Sequence, residues 1–130
     1  MIKNLLSKCN KVFIYDNLKR GYKYHHLLQS SFIGEALTYK RFRLFVDGNH
    51  PIAIPVENGY RLKGELYAIN DESILQALCW FEKYPLYRKI QIIKVEVPSI
   101  GKDFNAWIFY TRTPKGKEIL PNENGIVEYT

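Results

Sequence analysis

Hydrophobic positions along this chain change period several times, and each change marks the border of a short element. Ile2, Leu5, Leu6 and Cys9 recur at helical spacing, which predicts a short amphipathic helix over Met1–Asn10 that needs a folded body to lie against. Lys11–Tyr15 follows as an apolar strand, and Tyr24–Ser30 reads as a helical turn. Phe32–Leu37 and Phe42–Val46 read as strands, with a turn at Asp47-Gly48 and a proline-marked loop at Pro51–Pro55. Tyr60–Ile69 sets Tyr60, Leu62, Gly64 and Leu66 against Arg61, Lys63, Glu65 and Tyr67, the alternation of a half-buried strand. Asn70 or Asp71 then caps a helix running from Glu72 to Phe81 or Glu82, and Pro85 limits its extension. Ile90–Val97 and Ala106–Thr111 make two more strands, joined by the loop Pro98-Ser99-Ile100-Gly101, and the tail from Pro114 is turn-rich. Many short strands around one clear helix predict an α+β domain whose sheet closes or curls, because an open sheet would leave edges exposed. The expected organisation is an N-terminal extension over residues 1–11 and one domain over 12–130.

Length agrees, since 130 residues are enough for one core without staples. Cys9 and Cys79 read as free thiols in a reducing compartment, and no leader pattern precedes them, so a cytoplasmic protein is expected. No apolar run reaches the roughly 18 residues needed to span a bilayer, which excludes insertion by a helix. Charge changes the picture more. The net charge is +6, and it is uneven: residues 1–50 hold nine Lys/Arg against three acids, residues 51–130 ten against ten. The basic half would attract anionic ligands, from a small carboxylate to a nucleic-acid backbone, or simply form a solvated face.

Candidate chemistry centres on one carboxylate. Leu75, Leu78, Cys79 and Glu82 share a helical face if the helix persists to its last turn, which puts Glu82 on an apolar stripe. Desolvation and the negative end of the helix dipole would both raise its pKa, as suits a base near neutral pH. The alternative is that Glu82 fans out at the helix end or pairs with Arg88. His25, His26 and His50 lack a carboxylate or cysteine at ligand spacing, so no metal is expected, and Cys79 reads as a small core residue rather than a nucleophile. The many tyrosines and phenylalanines interleaved with lysine suit strand cores as well as base stacking, so a nucleic-acid partner is not favoured.

The order of landmarks resembles the gamma-glutamylcyclotransferase-like (AIG2-like) family. Val12–Gly21 resembles its opening strand and the turn Tyr-Gly-Ser/Thr-Leu-Lys-Arg-Gly, with Asp16 for glycine and Asn17 for serine or threonine. Phe32-Ile33-Gly34-Glu35-Ala36 is similar to its second strand, and Gly64-Glu65-Leu66-Tyr67 to its Gly-Glu-Leu-Tyr strand. The stretch Leu78-Cys79-Trp80-Phe81-Glu82-Lys83-Tyr84-Pro85-Leu86-Tyr87-Arg88 is similar to its pattern of Leu-Asp, two variable residues, Glu-Gly-x-Pro, then Tyr and Arg, with Cys79 for aspartate and Lys83 for glycine. The resemblance covers about residues 12–129.

That resemblance implies a small mixed β-barrel with a flanking helix. It also implies intramolecular aminolysis, in which the α-amine of a γ-glutamyl group attacks its own γ-carbonyl, giving 5-oxoproline and a free amine or amino acid. Glu82 would be the general acid and base. Tyr15, Asp16, Asn17 and Leu18 would hold the substrate, with Ile52, Tyr87 and Tyr110 at the pocket border, and neither a metal nor another cofactor is implied. The glycine losses at Asp16 and Lys83, with Ile52 where related sequences commonly have glycine, imply a remodelled pocket for a different γ-glutamyl amine or a related anion. A non-catalytic small-ligand-binding protein of the same fold is the alternative. Oligomeric state is not legible.

Overall fold

The structure, a computed structural model, describes residues 2–28 and 31–130. The Met1 end of the first predicted helix, the side chain of Ile2 and the Ser30 end of the predicted helical turn lie outside the described residues. Helix α1 (Ile2–Lys8) precedes β1 (Lys11–Ile14), β2 (Ser31–Asp47), β3 (His50–Pro55) and β4 (Tyr60–Ala68). Helix α2 (Glu72–Phe81), β5 (Lys89–Val97), β6 (Lys102–Tyr110), β7 (Lys117–Ile119) and β8 (Ile126–Val127) complete the chain, with one 3-10 turn at His25–Leu27 and another at Pro98–Ile100.

The strands run in the order β2-β5-β6-β1-β4, and β4 pairs back onto β2, so five of them close a barrel. β3, β7 and β8 extend it, and β1 with β6 and β4 with β8 are its parallel pairs. Closure gives two cores. Phe13, Ala36, Phe42, Leu44, Leu62, Leu66, Val95, Ala106 and Ile108 fill the interior. Val12, Ile14, Trp107 and Phe109 point outward from the same strands and are covered by Leu75, Leu78 and Cys79 of α2. β1 is therefore buried on both faces, which is why Val12-Phe13-Ile14 is a continuous apolar run rather than an alternation. Fully burying one such side chain stabilises the fold by about 1.5–3 kcal/mol. Leu5 and Leu6 of α1 and Cys9 just after it join the outer core, and the Trp107 indole N–H donates to the Cys9 carbonyl at 2.8 Å.

Three expectations need correction. Pro51–Pro55 is not a loop but lies in β3, paired with β2 from Asp47↔His50 to Phe42↔Pro55. β3 stands at the edge of the strand order, where a missing N–H costs no ladder bond. The two strands expected at Phe32–Leu37 and Phe42–Val46 are one, β2, bent by irregularities between Phe32 and Gly34 and between Leu37 and Arg41. At the second of these the Thr38 hydroxyl donates to the Lys40 carbonyl at 2.6 Å and accepts from the Leu62 N–H at 2.9 Å, so the side chain replaces ladder bonds that the bulge removes. The outer face of β4 is only partly polar: Glu65 and Tyr67 are buried there beneath the loop that follows β1.

Candidate functional site

The site is built where the loop after β1, the end of α2 and β3 meet. Asp71 caps α2 by accepting from the Ser73 N–H at 2.9 Å, and the helix then runs to Phe81 with Glu82 as its C-cap in the helical region. Glu82 consequently continues the buried face of Leu75, Leu78 and Cys79, and it is only 4% exposed. Lys83 turns the chain with φ 59°, the single positive φ of a non-glycine among the described residues. Arg88, a few residues on, returns its guanidinium to within 3.5 Å of the Glu82 Oε1.

Tyr15, Asp16, Asn17 and Leu18 lie opposite, all buried. The Tyr15 hydroxyl donates to the Phe109 carbonyl at 2.7 Å and accepts from the Ala53 N–H at 3.2 Å, with Arg88 Nη1 at 3.5 Å. Arg88 Nη2 also donates to the Pro51 carbonyl at 3.4 Å. The Asn17 amide donates to the Asn49 carbonyl at 2.7 Å, so the β2–β3 hairpin and the loop are tied together. Asp16 accepts from the Leu18 N–H at 3.1 Å and shares a hydrogen bond with the Glu82 carboxyl. His25 Nδ1 lies 2.8 Å from the Leu18 carbonyl and helps hold the loop.

The electrostatics follow from burial. Desolvation raises the Glu82 pKa well above the usual carboxylate range, the Asp16 charge and hydrogen bond add to this, and Arg88 offsets part of it. Burial likewise pushes the Cys79 thiol up to about 11, with the Glu82 charge second, which leaves a neutral core thiol and no nucleophile. Tyr15 is raised by desolvation too, so its hydroxyl keeps its proton and serves as donor and acceptor at once. Tyr15→Phe should cost about 1–3 kcal/mol, because the Phe109 carbonyl and Ala53 N–H would lose a shared partner in a dry place. A fall in the urea midpoint without a change of slope would register it.

The decisive comparison is one of sequence. Residues 12–125 match the family described as Gamma-glutamyl cyclotransferase, AIG2-like. The chain belongs to that family. Gamma-glutamylaminecyclotransferase C of Danio rerio is 33% identical over 95 residues, covering 66% of this chain and 62% of that protein. A putative gamma-glutamylcyclotransferase of Drosophila melanogaster is 34% identical over 114 residues, covering 78% of this chain and 69% of that one. The crystal structure of an AIG2-like protein from Mus musculus has the same fold, with a TM-score of 0.73 at 20% identity over 93% of this chain and 95% of that chain.

Within this AIG2-like fold the expected site residues do not all converge. Glu82, Tyr15, Asp16, Asn17 and Leu18 come together, and Ile52, buried in β3 between Pro51 and Ala53, adjoins them through its neighbours' bonds to Arg88 and Tyr15. Tyr110 is buried at the end of β6 with the Arg112 guanidinium 5.5 Å from its ring. Tyr87 instead points outward, 72% exposed beside Lys83, and is not brought to the carboxyl pair. Of the two glycine losses in the motifs, only Lys83 carries a left-handed backbone; Asp16 has no positive φ, so its Cβ adds no backbone strain and its effect is one of charge and space.

Arg88 is the functional candidate whose place the sequence showed least. It appeared as a pairing partner for Glu82 and as the arginine that closes the family pattern, and nothing in its spacing announced contacts with Tyr15 and Pro51. The basic loop also turns out differently from an open anion trap. Lys19 is buried and donates to the Tyr129 carbonyl at 2.6 Å. Arg20 pairs with Glu65 at 3.3 Å and stacks on Phe32 at 3.7 Å. These groups border a cleft of about 440 Å³ lined by Lys19, Arg20, Lys63, Glu35, Glu65 and Glu128, a balanced set of charges away from Glu82. Another cleft of about 430 Å³ lies at Tyr39, Arg41, Glu57 and Arg112. No described helix is long and apolar enough to cross a membrane, and no group of three metal-binding side chains occurs among the described residues.

Proposed function

We propose that this chain is a γ-glutamyl cyclotransferase acting on a small γ-glutamyl amine or γ-glutamyl amino acid in the cytoplasm. The observation that carries the reading is the buried Glu82 carboxyl, whose pKa is raised and which faces the Tyr15–Leu18 loop across Arg88. The names of the fly and zebrafish relatives support the reaction class. In the reaction the substrate's α-ammonium loses a proton to Glu82, and the freed amine forms a bond to the γ-carbonyl carbon. The bond from that carbon to the leaving nitrogen then breaks as Glu82 returns the proton to that nitrogen, and the extra proton left on the new ring nitrogen passes to the released amine, which departs as an ammonium. The products are 5-oxoproline and a free amine or amino acid, and atoms balance without a co-reactant.

Each neighbour has a task on this reading. Arg88 limits the rise in the Glu82 pKa and fixes the carboxyl's orientation. Tyr15, locked by Phe109 and Ala53, positions Arg88. Asn17 and Leu18 shape the substrate loop, and Ile52 and Tyr110 close its apolar side. Holding amine and carbonyl in ring-closing geometry supplies much of the acceleration. Because a base must first lose its own proton, kcat/KM should rise with pH through the elevated Glu82 pKa, with an ascending limb displaced above the usual carboxylate range. A limb near pH 4 would reject that role for Glu82.

The test is 5-oxoproline release from a panel of γ-glutamyl amines and γ-glutamyl amino acids. Release identifies the class. A second reading, a small-ligand-binding protein without turnover, is favoured by one feature, the Asp16 carboxylate lying on the Leu18 N–H. Absence of release from every member, with the chain folded, would select it.

A further inference from the structure

Asp16 is the buried carboxyl in the site that neither takes nor returns a proton in the proposed reaction. Its carboxylate, on a residue only 3% exposed, accepts from the buried Leu18 N–H at 3.1 Å and lies against the Glu82 carboxyl. The Arg88 guanidinium faces the same pair, 3.5 Å from Glu82 Oε1. A buried backbone donor in a pocket that also holds a guanidinium is by its chemistry suited to a carboxylate. Here that site is filled by a carboxylate two residues away in the chain.

We propose that Asp16 is an internal anion that occupies this chain's own carboxylate site and so sets its ligand specificity against ligands carrying a free carboxylate. The location of the site rests on the cyclotransferase reading; the occupancy rests on the Asp16–Leu18 and Arg88–Glu82 contacts. A ligand carboxylate must displace Asp16 from the Leu18 N–H or sit beside two carboxyl groups, and either reduces affinity. A ligand with a neutral or cationic group at that point meets no such opposition. Removing the Asp16 side chain frees the Leu18 N–H and opens a space about the size of a carboxymethyl group beside the Glu82 carboxyl. The altered site should then prefer what the natural site resists.

Two probes that differ by one carboxylate read this directly: 5-oxoproline and 2-pyrrolidinone, the same ring without the acid. Their dissociation constants would be measured by NMR titration for the wild-type chain, Asp16→Gly and Asp16→Ala, the alanine variant keeping an ordinary backbone if glycine unsettles the loop. The preference for 5-oxoproline over 2-pyrrolidinone should increase by about 10–100-fold in either folded variant, the scale of one charge-assisted hydrogen bond regained. An unchanged preference, or no detectable 5-oxoproline binding by the folded variants, would overturn the inference. Assaying 5-oxoproline release on the same samples separates the two ideas. Release with an unchanged preference leaves the cyclotransferase reading and removes the role of Asp16. A shifted preference without release from any sample keeps the internal anion and removes turnover.

Discussion

Glu82→Gln should reduce 5-oxoproline release by about 10²–10⁴-fold, the range expected when a positioned acid–base group is lost. The substitution preserves shape, and its amide N–H can donate to Asp16 as the protonated carboxyl does. The loss should therefore fall on kcat, with substrate affinity little changed. The same variant should become more stable relative to wild type as pH rises. Glu82 has a folded-state pKa above its unfolded value, so over the intervening range the native state holds a proton that the unfolded chain has released. By linkage, wild-type stability falls as pH rises from the ordinary carboxyl range, about pH 4.3, up to the raised value. Glutamine carries no such charge. Melting curves for both proteins between pH 4 and pH 8 should converge at the acid end and separate, with the variant higher, toward the alkaline end. Loss of activity with parallel melting curves would locate the raised pKa elsewhere.

Gly64→Ala should lower stability by about 3 kcal/mol, at the upper end of the cost of overpacking. A Cβ on Gly64 would collide with the Ile14 carbonyl oxygen and lie 2.7 Å from Cζ of Phe13. The Phe13 ring has limited room to yield, and the Ile14 carbonyl is backbone of β1, which is paired with β4 from Lys11↔Ala68 to Ile14↔Glu65. Separating these strands would disturb the barrel immediately before Tyr15, so activity should fall together with the urea midpoint. Gly21→Ala makes a useful contrast, since a Cβ there meets nothing within 4 Å and its cost comes from a backbone φ of 84° alone. Equal, small losses for both variants would show that β1 and β4 can move apart freely.

The family, the strands and the buried carboxylate were legible because each is written locally, and the barrel followed from the family resemblance. The spacing of Leu75, Leu78, Cys79 and Glu82 placed an acid on an apolar face, and the cap at Asp71 and the stop before Pro85 bounded the helix that carries it. Strand identities followed from alternation and β-branched runs, and the need to hide edges implied a closing sheet. The order of Gly-Glu-Leu-Tyr, glutamate, proline and arginine was enough to indicate the family.

Tertiary structure decided what those residues do to one another. Pro51–Pro55 became a strand because the barrel had an edge to offer it, a property of strand order that no window of sequence contains. The basic half of the chain suggested attraction for anions or a solvated face, yet Tyr129 and Glu65, distant in the chain, claim Lys19 and Arg20 within it. Tyr87 followed the motif but faces solvent, because the turn through Lys83 sets its direction. Asp16 could be read from sequence only as a misplaced charge. Its contacts with the Leu18 N–H and with Glu82, beside Arg88, depend on closing β1 against β4 and folding α2 over their outer face. Periodicity and local turn chemistry reside in neighbouring residues and so appear in the sequence. Which buried charge meets which partner is settled by long-range packing, where desolvation makes each contact strong enough to matter.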